Sequence, residues 1–149
     1  MLVCGVVWAP HSEAADPKLP RFASLRAPKV NLRTGPGSRY PVDWILVGRS
    51  TPVKIVAVFD TWRKVSDSTG TVGWVHKAML SSRRTVIVTG ARQALYEKAK
   101  RSARVVALVE AKVVARLLDC DANWCRLEVV GYRGWVPRNK LWGVGPAKK

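Results

Sequence analysis

The feature that most constrains this chain is an internal duplication. Residues 61–80, TWRKVSDSTGTVGWVHKAML, and residues 123–141, NWCRLEVVGYRGWVPRNKL, share one skeleton: a Trp with a basic and an apolar residue, a turn rich in Gly or Ser, Gly-Trp-Val, and a Leu five residues later. The first Trp residues are 62 positions apart and the Gly-Trp-Val segments 61, so one residue is lost in the intervening turn. Two hairpins anchored by Trp in one register predict two copies of one folding unit.

The similarity continues upstream, where PVKIVAVFD (52–60) matches AKVVARLLD (111–119) and residues 30–48 match residues 93–110 more weakly. VKIVAVF is short, β-branched and bounded by turn residues, and WRKV alternates as a half-buried strand does. Residues 98–118 are rich in Ala, Lys and Leu, which favour a helix, but the matching part of the first copy contains Gly-Pro-Gly, which a helix excludes. The sequence therefore predicts strands throughout.

These residues carry a family likeness. NLRTGPGSRYPV (31–42), then WRKV, then GWVHKAML (73–80) resembles the bacterial SH3-like (SH3b) module, whose opening and closing motifs have this form. The likeness covers residues 24–145, and the second copy, which ends GYRGWVPRNKLWGV, is similar to tandem SH3 domains of exported proteobacterial proteins. The second copy departs where Tyr96 takes the place of Arg33 and where EKAKRSAR replaces the Gly-Pro-Gly turn.

The resemblance implies an all-β fold of two tandem small SH3-like barrels, each with five or six short strands in a partly open barrel. We expect the first over residues 23–85 and the second over residues 86–146, after a signal remnant and disordered segment at 1–22. A unit of roughly 60 residues is marginal alone, so the two would gain by packing together.

The Gly-Pro-Gly loop predicts a turn that presents side chains. A dinucleotide-binding loop would need a helix after its glycines, and no helical pattern follows here. We expect Gly35 and Gly37 to supply backbone freedom at positive φ and Pro36 to fix the bend, which returns Tyr40 towards the barrel.

The N-terminus predicts the compartment. MLVCGVVW is an apolar run, and Ser12 and Ala14 follow it in the spacing of a signal-peptide cleavage site, so we interpret Met1 to Ala14 as a secretory signal. This places the protein outside the cytoplasm, in the periplasm or cell envelope. No Lys or Arg precedes the apolar run, and a disordered or core-docked tail is the alternative. The sequence contains no stretch of eighteen apolar residues, so it predicts no membrane-spanning helix.

Cys120 and Cys125 flank a turn in DCDANWC, where the paired ends of a hairpin bring Cβ atoms within disulfide reach. An oxidising compartment favours that bond, and free thiols are the alternative. A metal site would need two more ligands, and His76 is the only imidazole after the signal, so no metal is expected. The first copy has Asp60 and Arg63 at the corresponding places.

Charge and the missing catalytic motifs narrow the function. The chain carries 26 Lys and Arg against 10 Asp and Glu, a net charge of +16, which attracts polyanions or merely solvates the surface. Residues 23–85 hold 11 basic and 3 acidic side chains and residues 86–149 hold 13 and 5, so the charge is spread evenly. No paired-acid, Cys-His or Ser-His-Asp motif is evident, and we predict a protein that is not an enzyme and needs no cofactor.

By analogy with the family, aromatic side chains line a groove in each barrel and arginines at the rim pair with ligand carboxylates. The expected ligand-binding residues are Tyr40, Trp44 and Trp62 in the first copy, Tyr96, Trp124 and Trp142 in the second, and Arg33, Arg63, Arg126 and Arg138 at the rims. The two remaining tryptophans of the duplicated region, Trp74 and Trp135, are expected to fill the cores.

The resemblance then implies a binding module of the cell envelope whose partner is a cell-wall peptide or glycan-peptide, with the anionic stem peptides of peptidoglycan as the leading ligand. A periplasmic protein–protein scaffold is the second hypothesis. A polyanion binder, for lipopolysaccharide or nucleic acid, is the third, although nucleic acid is not the expected partner. The third hypothesis predicts an affinity that falls steeply as the salt concentration rises. The oligomeric state is left open.

Overall fold

The computed structural model describes residues 18–146, which form two seven-stranded β-sheets. The first sheet contains β1 (Arg21–Leu25), β2 (Lys29–Arg33), β3 (Val42–Val47), β4 (Pro52–Phe59), β5 (Trp62–Ser66), β6 (Val72–His76) and β7 (Leu80–Ser81). The second contains β8 (Thr85–Val88), β9 (Gln93–Tyr96), β10 (Val105–Val109), β11 (Val114–Cys120), β12 (Trp124–Val129), β13 (Tyr132–Pro137) and β14 (Leu141–Trp142). Short 3-10 turns at Lys77–Met79 and Arg138–Lys140 precede the last strand of each sheet. The predicted signal, Met1 to Ala14, lies outside the described residues.

The two sheets have the same topology. Their strand orders are β3-β2-β6-β5-β4-β1-β7 and β10-β9-β13-β12-β11-β8-β14, with every neighbouring pair antiparallel. Neither sheet closes, because the first and last strands of each order have one neighbour only. Residues 18–146 contain no α-helix, and the segment with helical propensity forms β10 and β11. The prediction of an all-β tandem of SH3-like units is confirmed, and none of the described residues forms a helix able to cross a membrane.

Strand pairing gives the register between the copies. Arg33 pairs with Trp74 and Tyr96 pairs with Trp135, so Tyr96 does take the place of Arg33. The alignment of residues 52–60 with 111–119 is wrong by three positions, because β4 begins at Pro52 and the matching β11 begins at Val114. A run of β-branched residues contains few distinctive residues that could fix its alignment with the other copy. The alignment becomes clear only when each run is paired with the strand that follows it, which begins with Trp.

The same pairing corrects the position that matches the cysteines. Cys125 pairs with Cys120, and the matching Arg63 pairs with Val58. Val58, and not Asp60, therefore corresponds to Cys120.

Each sheet curls around an aliphatic core of its own. The first core consists of Ala23, Leu25, Val30, Leu32, Val53, Ile55, Val65, Val75 and Leu80. The second consists of Val86, Val88, Leu95, Val109, Ala115, Cys125, Leu127 and Val136. No aromatic side chain belongs to either core within residues 18–146.

The expectation that Trp74 and Trp135 fill the cores is wrong, because both are only half-buried. Strand alternation explains their position: Val75 is fully buried on the inner face, so its neighbour Trp74 points outwards. Gly73 is also inward and buried, and a Cβ there would stand 3.1 Å from Leu32 Cδ1. The glycine of Gly-Trp-Val is needed for this close contact inside the barrel, while the Trp covers the outer face.

The connection between the sheets is only residues 82–84, and hydrogen bonds fasten both sides of it. Ser24 Oγ donates to the Arg83 carbonyl at 2.8 Å, and Thr85 Oγ1 donates to the Ser50 carbonyl at 2.5 Å. Ser24 and Thr85 are both buried, so these bonds are protected from water. The two units therefore pack against each other at the point where the chain crosses between them.

Candidate functional site

The Gly-Pro-Gly loop between β2 and β3 packs on itself. The ring of Tyr40 lies over Gly35, where a Cβ would collide with it, and a Cβ on Gly37 would stand 3.3 Å from the same ring. Arg33 Nη1 donates to the Tyr40 carbonyl at 2.8 Å and to the carbonyl two residues earlier at 3.0 Å. The expectation of positive φ at Gly35 and Gly37 is wrong, because neither residue lies in that region. Glycine is required at position 35 because the aromatic ring leaves no room for a side chain, whereas a Cβ at position 37 would only make a tight contact with the ring.

The remaining predicted residues of the first copy are spread across its sheet. Trp44 is 59% exposed on the edge strand β3, whereas Trp62 lies on β5 and meets His76 edge to face with ring centroids 5.5 Å apart. Two strands separate β3 from β5, a distance of about 14 Å. Arg63 Nη1 donates to the carbonyls of Asp60 and Trp62. The structure thus does not bring Trp44 and Trp62 together.

A cleft with a volume of about 780 Å³ lies between the two copies. The first copy contributes Pro20, Phe22 and Lys54, and the second contributes Trp124, Arg138 and Trp142 with the segment 143–146 and Arg101. Three of the predicted second-copy residues, Trp124, Arg138 and Trp142, therefore meet in one site. Its other wall belongs to the neighbouring unit.

Aromatic pairs shape this cleft. Phe22 of β1 and Trp142 of β14 meet edge to face across the boundary, with centroids 5.2 Å apart and planes at 84°. Trp124 at the start of β12 meets Tyr96 of β9 in the same way at 5.8 Å. Edge-to-face pairs hold ring orientation, so the half-buried indoles of Trp124 and Trp142 present fixed apolar surface to the cleft.

Three cations surround that apolar surface, and none of the described lining residues is acidic. Lys54 Nζ lies 6.0 Å from the centre of the Phe22 ring, and Arg101, which also lines the cleft, is exposed. Arg138 donates to the carbonyl oxygens of Asp121 at 3.0 Å and Gly145 at 2.6 Å, which fixes the guanidinium at the edge of the cleft. The site therefore combines apolar rings with uncompensated positive charge.

A fourth cation, Arg84, holds the segment that lines the cleft without lining it itself. Arg84 Nη2 donates to the carbonyl oxygens of Gly143 at 2.7 Å and Val144 at 2.8 Å, and its guanidinium lies 5.8 Å from the Phe22 ring centre. Burial lowers the pKa of Arg84. Arg84 thereby ties the connection between the copies to the segment that lines the cleft.

The predicted disulfide is confirmed and borders this site. Cys120 and Cys125 are bonded, with their Cα atoms 4.1 Å apart. The turn that they enclose contributes Asn123 and Trp124 to the cleft lining. Arg126 lies elsewhere, on the exposed face of β12, where Asp119 and Trp135 are the residues opposite it in the neighbouring strands. In residues 18–146 no three metal-ligating side chains come together.

Sequence reasoning missed the residues that the first copy contributes, Phe22 and Lys54, and also Arg101. Lys54 and Arg101 look like ordinary surface cations in the sequence. The sequence did contain a signal for Phe22. An aromatic residue just before the first repeat motif indicates an additional strand there, and such a strand would complete the barrel. Its contact with Trp142 still depends on how the two copies dock.

Two small antiparallel units of the same topology, joined by three residues and enclosing a cleft of aromatics and cations, define a tandem SH3-like module. Sequence comparison agrees: the family model of the bacterial SH3 domain matches the chain twice, over residues 26–82 and 89–143. The chain belongs to the bacterial SH3 domain family. The comparison with curated proteins gave no significant match.

Among solved structures, the chain is similar to NlpC2 from Trichomonas vaginalis, with 18% identity and a TM-score of 0.38 over 83% of this chain and 48% of that one. NlpC1 from the same organism shows 18% identity and a TM-score of 0.37 over 92% and 50%. An NlpC/P60 family protein from Bacillus cereus shows 16% identity and a TM-score of 0.37 over 81% and 55%. The chain spans about half the length of these proteins.

Proposed function

We propose that this protein is a non-enzymatic binding module of the cell envelope, and that the cleft between its two SH3-like units takes an anionic, peptide-like ligand. The stem peptides of peptidoglycan are the ligand proposed. Membership of the bacterial SH3 domain family supports a wall-associated binding role. The confirmed disulfide is consistent with a location outside the cytoplasm.

The observation that carries the proposal is the composition of the cleft. Lys54, Arg101 and Arg138 surround the rings of Trp124 and Trp142, and no acidic side chain lines the cleft among the described residues. A short peptide with free carboxylates matches both features. Its carboxylates would meet the cations by charge-assisted hydrogen bonds, and its aliphatic parts would cover the indoles.

Binding to purified wall sacculi tests the proposal. The full chain is sedimented with sacculi at low and at physiological ionic strength, and the Lys54→Gln and Arg101→Gln variants are compared with Lys29→Gln. Lys29 is exposed and outside the cleft, so its variant removes the same charge without touching the site. We expect the two cleft variants to reduce retention several-fold and the control to retain wild-type binding.

Two results would overturn this function. If no protein sediments with sacculi at any salt concentration, the wall is not the ligand. If binding occurs at low salt, disappears near physiological ionic strength and falls equally in all three variants, the protein is a polyanion binder that acts through counterion release.

A second function, the periplasmic scaffold, is favoured by a different surface. The edge strand β3 has an open side, and Trp44, Ile45 and Val47 on it are 59%, 55% and 68% exposed. An extended acidic segment of a partner protein could add to this edge by main-chain hydrogen bonds, with the basic first copy attracting it. A Trp44→Ser variant would then lose partner binding while it keeps binding to sacculi.

A further inference from the structure

A second, smaller pocket lies inside the first copy, at one end of its barrel. Its volume is about 150 Å³, and its floor is formed by the core residues Ala23, Ile55 and Leu80. Three basic side chains, Arg21, Arg63 and Lys77, line its walls together with Ser81 and Ser82.

Two of these cations stand at strand positions that face the barrel interior, and both are half-buried. Arg21 pairs across the strands with Ile55 and Arg63 with Val75, and both partners are core residues. Residues directly opposite each other in antiparallel strands share one face of the sheet, so both arginines lie on the inner face. Among the described residues Arg21 Nε is buried without a hydrogen-bond partner, as is Arg84 Nε in the second copy.

Among the described residues no acidic side chain lines this pocket. All four salt bridges within residues 18–146 lie in the second copy. The carboxylate of Asp67 in the first copy is occupied by the backbone N–H groups of Thr69 and Thr71. Three like charges around so small a cavity repel one another unless an anion lies between them.

In the second copy the outer nitrogen of the guanidinium at the same position does have acceptors. The residue that corresponds to Arg21 is Arg84, which donates to the carbonyl oxygens of Gly143 and Val144. The residue that corresponds to Lys77 is Arg138, which donates to the Gly145 carbonyl. The segment after β14 therefore covers this end of the second barrel and supplies acceptor oxygens to both cations.

In the first copy the chain after β7 leaves for the second barrel instead of folding back, so these acceptors are missing. Arg63 replaces the disulfide-bonded Cys125 at this end and adds a further cation, whose Nη1 donates to the carbonyls of Asp60 and Trp62. We propose that a phosphoryl dianion, either free phosphate or a terminal phosphate monoester, occupies this pocket and supplies the oxygens that Gly143, Val144 and Gly145 supply in the second copy.

The chemistry of the walls favours a phosphoryl group. Guanidinium groups bind phosphate oxygens in two-pronged hydrogen bonds, while the ammonium acts as a point charge. The Ser81 hydroxyl already accepts from the Arg83 N–H at 3.2 Å, so its own proton is available to a ligand. Cations reach the cavity from β1, from β5 and from the 3-10 turn, which suits a doubly charged, three-dimensional anion better than a planar carboxylate with one charge.

Calorimetric titration of the full chain at constant ionic strength tests this site independently of wall binding. Inorganic phosphate, glycerol phosphate and acetate are the three probes. We expect saturable binding of phosphate with a stoichiometry of one, and weaker or no binding of acetate. Tighter binding of glycerol phosphate than of inorganic phosphate would identify a monoester as the source, and equal binding would identify free phosphate.

The variants are Arg21→Gln, Arg63→Gln and Lys77→Gln, with Lys29→Gln as the charge-matched control. Each pocket variant should weaken phosphate binding by about tenfold or more, because each removes a hydrogen bond to a charged group, and the control should bind as the wild type does. Lys77 is exposed on a turn, so its variant decides the question if an arginine variant does not fold.

Absence of phosphate binding by the folded wild-type protein would overturn the proposal. So would equal losses in all four variants, which would indicate non-specific attraction to the basic surface. Acetate binding as tight as phosphate binding would also refute the selection of a dianion.

Discussion

Replacement of Gly134 by Ala is a sharp test of the packing described above, because two arguments predict opposite signs. Gly134 does not have positive φ, so an Ala could adopt its backbone conformation. On chain entropy alone the substitution should stabilise the protein by about 0.4–1 kcal/mol, since Ala restricts the unfolded chain more than Gly does. A propensity argument therefore expects a more stable variant.

The structure predicts the reverse. A Cβ on Gly134 would stand 2.8 Å from Leu95 Cβ, 3.0 Å from the Tyr96 carbonyl oxygen and 3.2 Å from the Leu95 carbonyl carbon. Two of these neighbours are backbone atoms of the adjacent strand β9, so rotation of a side chain cannot relieve the contact. Overpacking of this kind costs about 1–3 kcal/mol, and we expect a net loss of about 1–2 kcal/mol in the free energy of unfolding.

Urea unfolding followed by tryptophan fluorescence measures the difference, with the change read from the midpoint at constant slope. Gly37→Ala is the matched control. The atoms nearest to a Cβ at that position belong to the Tyr40 side chain at 3.3 Å, which would have to move by only a few tenths of an ångström. The control should change stability by less than about 0.5 kcal/mol. A Gly134→Ala protein as stable as the wild type would refute the packing argument.

Two further predictions concern the disulfide and the first loop. The Cys120–Cys125 bond joins residues five positions apart, so reduction should lower the stability of the second unit by about 2 kcal/mol and its melting temperature by on the order of 10 °C, measured by thermal unfolding with and without a reductant. An unchanged melting temperature would contradict the estimate. Arg33→Met removes two hydrogen bonds to loop carbonyls and should destabilise the protein by about 1.5–3 kcal/mol in urea unfolding, whereas a loss below about 0.5 kcal/mol would show that the loop does not depend on them.

The overall fold was predictable because the duplicated hairpins constrain one another. Residues 98–118 alone favour a helix, but the register of the two Gly-Trp-Val segments places them opposite a first-copy segment that cannot be helical. The structure places β10 and β11 there. Repetition thus supplied long-range information that local propensity lacks.

The wrong predictions for Trp74 and Gly35 have a common physical cause. A residue type states which environments suit a side chain but not which face of a strand it occupies. Trp74 suits a core by size, yet Val75 takes the inner face and leaves Trp74 outside. Gly35 suits a positive-φ turn, yet it is required by contact with Tyr40.

Only the part of the candidate site that belongs to the second barrel was predictable from the sequence. Trp124, Arg138 and Trp142 were identified as possible ligand-binding residues, but in a groove belonging to the second barrel alone. The cleft also contains Phe22 and Lys54 of the first barrel, and their position depends on how the units dock. Docking depends on pairwise contacts such as Thr85 Oγ1 with the Ser50 carbonyl, which leave no periodic trace in a sequence.

The three-residue connection has a consequence for how such a site can evolve. Because one wall of the cleft comes from each barrel, its shape is set by the length of residues 82–84 as much as by any side chain that lines it. A ligand of the kind proposed for the cleft would meet both walls already juxtaposed and would spend no binding free energy on bringing two tethered halves together. A short glycine–serine insertion into this connection would leave both barrels folded and change no lining residue, but it would turn one preassembled cleft into two surfaces joined by a flexible tether.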